Sequence, residues 1–141
     1  MNQTEPGKQM LDVGDDLLAV TKIITQEKIN RYADASGDHN PLHIDPEFAM
    51  RTQFGGTVAH GMLVLAYISE MMTGAFGKWW DAAGLKVRFR GPARPGDTVT
   101  TSGRVLRIEE RRGARVTLCE LEARNGKDDV LVSGSAEVWH W

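Results

Sequence analysis

Cysteine is almost missing from this chain: Cys119 is alone among 141 residues. A single thiol excludes an intramolecular disulfide and fits a reducing compartment. Charge of one sign is missing too. With 17 Lys and Arg against 19 Asp and Glu, the formal net charge is −2. That gives no case for nucleic acid or an acidic membrane surface as a partner. Nor is there a long hydrophobic run. The longest apolar stretch, Met62 to Ile68, falls far short of the ~20 residues that span a bilayer. The start, Met1 to Lys8, is polar, without an apolar core or a small-residue cleavage site, so no signal peptide is expected and the cytoplasm is the default location. Internal repeats and low-complexity segments are absent. The length predicts one domain over 1–141, with 1–10 as a loose arm. Such a domain buries roughly two thirds of its unfolded surface and needs no staples.

What is present concentrates in Ser36-Gly37-Asp38-His39-Asn40-Pro41-Leu42-His43-Ile44-Asp45-Pro46. Gly37 permits a turn. Pro41 has no N–H, so a helix cannot run through it, and it biases Asn40 towards extended backbone; Pro46 does the same to Asp45. Asp38 and His43 are therefore expected on a stiff, non-helical loop. On a helix they would point ~140° apart at about 100° per residue. On a pinned loop they can converge, and a carboxylate beside an imidazole is a general acid/base pair. The plainer reading is that Asp and Asn near Pro and Gly simply make turns. A metal reading competes as well, since Asp38, His39, His43 and Asp45 are all possible ligands. His39 and His43 have the i, i+4 spacing of a helical zinc pair, but Pro41 removes the helix that such a pair needs. Acid/base chemistry ranks above metal.

Downstream stands Gly55-Gly56-Thr57-Val58-Ala59-His60-Gly61-Met62-Leu63. Together, Tyr32 to Pro46 and His60-Gly61-Met62 resemble the MaoC-like, R-specific enoyl-CoA hydratase family. The resemblance is dense from Tyr32 to Leu65 and weaker through Val87-Arg88-Phe89, Arg94-Pro95-Gly96-Asp97 and the C-terminal strands. It implies a hotdog fold, an antiparallel sheet around a long central helix. It also implies proton transfer by Asp38 and His43, and a Gly61 N–H that donates to the thioester oxygen. Asn40, His60 and Ala66 would lie at the substrate, although His60 by itself reads as a packed residue. Some hydratases of the family carry a Ser on the central helix near the catalytic water. Aligned without gaps that position is Ala66 here, with Ser69 further along, which leaves the placement of the water open. No cofactor is implied beyond coenzyme A as part of the substrate.

Residue patterns predict the same α+β class. Leu17 to Ile24 is aliphatic and β-branched and predicts a first strand. Thr25 is an N-cap for a helix over Gln26 to Ala33, with Ile29, Tyr32 and Ala33 on one face. Asp45 caps a second short helix with Pro46 at its first position, so Asp45 already has a structural task. Gln53 to Thr57 is a loop, either a lid or a connection. Gly61 to Phe76 is apolar all round over its first turns and predicts a fully buried helix. No Ser, Thr, Asn or Asp stands at 58–61 to cap its first N–H groups, which must find a partner elsewhere; an anion is favoured there.

Trp79 and Trp80 follow as packing or interface material. Leu85 to Arg90 alternates strictly, placing Lys86, Arg88 and Arg90 on a solvated face, with one of them a candidate for a coenzyme A phosphate. Strands at Thr98 to Ile108, Ala114 to Arg124 and Val130 to Trp139 would form a meander, with turns at Glu109–Gly113 and a hairpin at Asn125-Gly126. The expected activity is hydration of a 2-enoyl thioester of coenzyme A or acyl carrier protein, or the reverse dehydration, by a homodimer. The alternatives are a hotdog thioesterase using Glu70, or a non-catalytic acyl-thioester-binding module.

Overall fold

The computed structural model describes residues 11–141; the expected N-terminal arm lies outside the described residues. The order of elements is β1 (Thr21–Ile23), α1 (Gln26–Ser36), α2 (Pro41–Ile44), α3 (Pro46–Met50), α4 (Gly61–Phe76), a 3-10 turn (Trp79–Asp81), β2 (Ala83–Phe89), β3 (Thr98–Arg111), β4 (Ala114–Arg124) and β5 (Val130–His140). The strands form one five-stranded sheet ordered β1-β3-β4-β5-β2, every pairing antiparallel. The meander β3-β4-β5 is its centre. This is the α+β class, a sheet with one long helix packed on its inner face.

The core follows from alternation along the strands. Val99, Thr101 and Val105 of β3, with Cys119, Leu121 and Ala123 of β4, are buried on the inner face. They meet Leu63, Val64, Ile68, Met71 and Met72 of α4 in one apolar cluster, Thr101 excepted. Thr101 instead satisfies its hydroxyl: Oγ1 accepts from Val20 N–H at 3.0 Å. Burial pushes the Cys119 thiol up to about 11. Gly134 lets β2 cross close over β5, since a Cβ there would stand 2.0 Å from the Lys86 carbonyl oxygen. Among the described residues no helix is long and apolar enough to cross a membrane.

Four expectations need correction. The first strand is short. From Leu17 to Val20 the chain follows β3 irregularly, with Leu17 N–H donating to Gly103 O and Thr101 N–H to Val20 O, both at 2.8 Å. Leu17 turns into the core while Leu18 is 87% exposed, so no regular ladder forms before Thr21.

Helix α4 has the predicted bounds but is not enclosed. The sheet covers the face of Leu63, Val64, Ile68 and Met71, whereas Met62, Ala66, Glu70 and Thr73 remain exposed along one stripe. A single sheet has only one face to offer a helix.

The β3–β4 turn is confined to Arg112 and Gly113, with φ of 52° and 80°. Positive φ at both centres is the two-residue hairpin geometry that matches strand twist. Asn125-Gly126, by contrast, is not a two-residue turn. The connection runs from 125 to 129, where Asn125 Oδ1 accepts from the N–H groups of Lys127 and Asp129 at 3.0 Å each. The positive φ falls on Asp128, at 66°.

Candidate active site

The site is built from the end of α1, the short helix α2 and the start of α4. Helix α1 begins at its Thr25 cap and ends at Gly37, whose φ of 80° reverses the chain. The Gly37 N–H returns to Ala33 O at 2.9 Å. Asp38 follows on a tight turn in which its Oδ1 accepts from Asn40 N–H at 3.2 Å.

The next residues depart from the expected loop. Pro41 starts helix α2 at its first position, where a missing N–H costs nothing, and Asn40 caps it by accepting from Leu42 N–H at 3.0 Å. His43 therefore sits on a one-turn helix, not on extended backbone. Proline blocks the passage of a helix but favours the start of one. Asp38 and His43 converge nonetheless, because a cap rather than a continuous helix separates them.

Asp38 Oδ2 lies 4.0 Å from His43 Nε2, with the Asp38 side chain 54% exposed and His43 only 13%. That separation is too long for a direct hydrogen bond. It suits a bridging water, which can sit at about 2.8 Å from both atoms. His43 Nδ1 is 2.7 Å from Val58 O. A carbonyl only accepts, so Nδ1 carries a proton and Nε2 is the nitrogen turned to chemistry.

Gln26 and Thr57 complete the frame and carry no signal in the sequence. Gln26 Nε2 donates to His43 O at 2.8 Å and to Asn30 Oδ1 at 2.9 Å, while its Oε1 accepts from Thr57 Oγ1 at 2.7 Å. One amide thus ties α1, α2 and the 57–58 segment together. Their separations of 17 and 31 residues leave no local pattern from which to infer the clamp.

His60 is the cap residue of α4 but makes no side-chain cap. It is buried at 2% exposure. Its Nε2 donates to the Asp38 carbonyl at 3.0 Å, and its ring stacks on His43 with centroids 3.9 Å apart. His60 is thus packed against the pair itself, a contact with no local signal in the sequence. The Gly61 N–H has no partner among the described residues. Gly61 also permits close packing, since a Cβ there would meet the Phe89 ring at 2.8 Å. Ala66 stands on the exposed stripe of α4, about 140° around the helix from Gly61 at 100° per residue. Among the described residues neither Ala66 nor Ser69 hydrogen-bonds to Asp38 or His43.

Of the four possible ligands weighed in the sequence, His39 and Asp45 stand apart from Asp38 and His43. His39 Nε2 pairs with Asp34 Oδ1 at 3.0 Å, and Asp34 raises the His39 pKa. Asp45 Oδ1 caps α3 through the Glu47 and Phe48 N–H groups. A different trio, Asp38, His43 and His60, brings one ligating atom each within 4.8 Å of the others. Its two rings lie stacked, interplanar angle 29°. Stacked imidazoles project their in-plane lone pairs side by side, whereas a tetrahedral ion needs them to converge at about 2.0–2.1 Å.

Glu70 is engaged elsewhere, 3.1 Å from Lys22 Nζ. Lys86, Arg88 and Arg90 line an open trough of about 1180 Å³ on the outer face of the sheet, with Glu120, Glu122 and Ser133. This is the solvated-face arrangement.

Comparison with known proteins agrees with the geometry. Residues 9–125 match the family described as "MaoC like domain". The chain is 40% identical over 92 residues to the 3-hydroxyacyl-thioester dehydratase Z of Mycobacterium tuberculosis, covering 62% of this chain and 61% of that protein. It thus spans somewhat less than two thirds of that relative. It is 30% identical over 123 residues to the (R)-specific enoyl-CoA hydratase of Rhodospirillum rubrum, covering 85% and 82% of the two chains. Among solved structures, R-hydratase PhaJ1 from Pseudomonas aeruginosa superposes with a TM-score of 0.80 at 29% identity, covering 92% of this chain and 82% of that one. With the family's match running over most of its length, the chain belongs to the MaoC-like domain family.

Proposed function

We propose that this protein hydrates 2-enoyl thioesters to (R)-3-hydroxyacyl thioesters, or runs the reverse dehydration, as a hydro-lyase without a cofactor. The observation that carries the reading is the 4.0 Å gap between Asp38 Oδ2 and His43 Nε2, with the other His43 nitrogen committed to Val58. Water held in that gap is presented to two groups able to exchange its protons.

Hydration requires three things at once. Water loses a proton as its oxygen attacks Cβ, Cα gains a proton, and the thioester oxygen carries negative charge in between. Asp38 takes the proton from water. His43 gives a proton from Nε2 to Cα, its Nδ1–H held by the Val58 carbonyl, and the proton that Asp38 took from water passes back to Nε2 across the 4.0 Å gap, which restores both groups. The Gly61 N–H, at the positive end of α4, donates to the thioester oxygen. A single such donor is worth about 2.7–4 kcal/mol in kcat. Proton transfer from positioned side chains adds about 10²–10⁴-fold. Asn40 keeps α2 in register through its cap, and its NH2 is the part left for substrate.

The substrate is a thioester of coenzyme A or of acyl carrier protein; the groups named here address the enoyl thioester that both share. The exposed stripe of Met62 and Ala66 on α4, the exposed Phe89 and the free edge of β2 support a homodimer. The buried, unpaired Cys119 supports a cytoplasmic location. Nothing favours the thioesterase reading, given the Lys22 partner of Glu70. An acyl-binding module has no use for a paired acid and base.

The test is hydration of crotonyl-CoA, followed by loss of enoyl absorbance, with chiral analysis of the product. The (R)-3-hydroxy thioester is expected. Release of free coenzyme A without hydration refutes the assignment.

A further inference from the structure

The proton-transfer scheme above makes no use of His60, yet its side chain touches both members of the pair. Its Nε2 reaches the backbone carbonyl of Asp38 at 3.0 Å and its ring lies under that of His43 at 3.9 Å. The Tyr32 ring closes the other side at 4.7 Å, tilted by 56°. Burial at 2% makes it the one buried histidine among the described residues.

We infer that His60 is a positioning residue that locks Asp38 and His43 into their 4.0 Å relation. The Asp38 carbonyl can only accept, so His60 Nε2 carries a proton. Its Nδ1 is buried and has no hydrogen-bond partner among the described residues. With no acceptor in reach of it, Nδ1 is the bare nitrogen of the ring. The flat ring packs against His43, and its N–H fixes the turn that carries Asp38.

A residue kept for packing alone would not be chosen with an orphaned nitrogen, because an apolar ring of similar shape removes that cost. The inference rests on the hydratase reading for its kinetic arm only.

Two variants separate the contacts. His60→Phe keeps a ring beneath His43 and removes the N–H to Asp38. His60→Gln keeps a donor and removes the ring. For each we expect kcat for crotonyl-CoA to fall at least tenfold with KM within about threefold, as a small misplacement of reacting groups costs rate more than binding. His60→Phe is further expected to hold or raise Tm while losing activity. A purely structural histidine would lower Tm and kcat together, and that result, or a wild-type kcat in His60→Phe, overturns the proposal. Side-chain 15N spectra test it without any substrate. His60 should carry its ring proton on Nε2; a proton on Nδ1 in its place refutes the argument. If the wild type fails to hydrate enoyl thioesters, the hydratase reading falls, while these spectra and the Tm of His60→Phe still decide the placement of His60.

Discussion

Replacing Gln26 by alanine removes the clamp under the site without touching a reacting group. Its amide makes contacts at 2.8 Å to the His43 carbonyl, 2.7 Å to the Thr57 hydroxyl and 2.9 Å to the Asn30 side chain. The first two are part-buried. Each such bond is worth about 1 kcal/mol net, so losing both costs about 1–3 kcal/mol. For a domain of this size that corresponds to roughly 3–9 °C in Tm at about 3 °C per kcal/mol. The kinetic effect should be larger than the thermal one. Gln26 holds the main chain of His43, and Thr57 adjoins Val58, which orients the ring through Nδ1. Both supports loosen together. A displacement of about 1 Å can cost 10²-fold in rate, so kcat should fall between tenfold and a hundredfold, with KM little changed. Thermal melts and hydration kinetics on the same preparation measure both. Thr57→Val should add little to Gln26→Ala, since the two share one bond. Wild-type Tm and kcat in Gln26→Ala would refute the clamp; a full additive loss from Thr57→Val would show that the residues act separately.

Other positions give sharper, simpler outcomes. Gly61→Ala places a Cβ 2.8 Å from the Phe89 ring, and kcat should fall at least tenfold. Alanine keeps the backbone N–H, so the loss comes from the shift that the clash imposes on the start of α4, and Phe89→Ala should restore much of the activity of Gly61→Ala; no recovery in the double variant would contradict that cause. Gly134→Ala drives a Cβ to 2.0 Å from the Lys86 carbonyl oxygen, backbone that has no rotamer to escape into. It should cost about 3 kcal/mol or more, seen in denaturant melts as a lower midpoint. The Cys119 thiol, buried and pushed up to about 11, should resist alkylation at pH 8 in the folded protein and react promptly in denaturant. Rapid labelling of the native state would contradict its place in the core.

Local chemistry made much of the fold legible. The Thr25 and Asp45 caps, the bounds of α4 and the strand β4 stand where side-chain pattern and capping residues put them. What the pattern missed was set by partners distant in sequence. Leu17 to Val20 looks like strand by composition, but the Thr101 hydroxyl takes the Val20 N–H, and the ladder starts late. The apolar first turns of α4 signal burial, but which side is covered depends on one sheet having one inner face. Asn125-Gly126 has hairpin chemistry, but the Asn125 side chain closes a longer loop.

The site divides the same way. Asp38 and His43 were legible because their motif is contiguous and Pro41 and Asn40 state its geometry. The Gln26 clamp and the double contact of His60 were not, because each joins residues 17 or more positions apart.

The most direct test of the central claim compares Asp38→Asn and His43→Gln with the wild type in hydration of crotonyl-CoA, after circular dichroism and Tm have shown all three folded. Asp38 is half exposed, so its change to Asn should leave stability nearly intact. The account predicts that each variant loses about 10²–10⁴-fold in kcat and that the wild-type product is the R-3-hydroxy thioester. Wild-type turnover in either folded variant would contradict it.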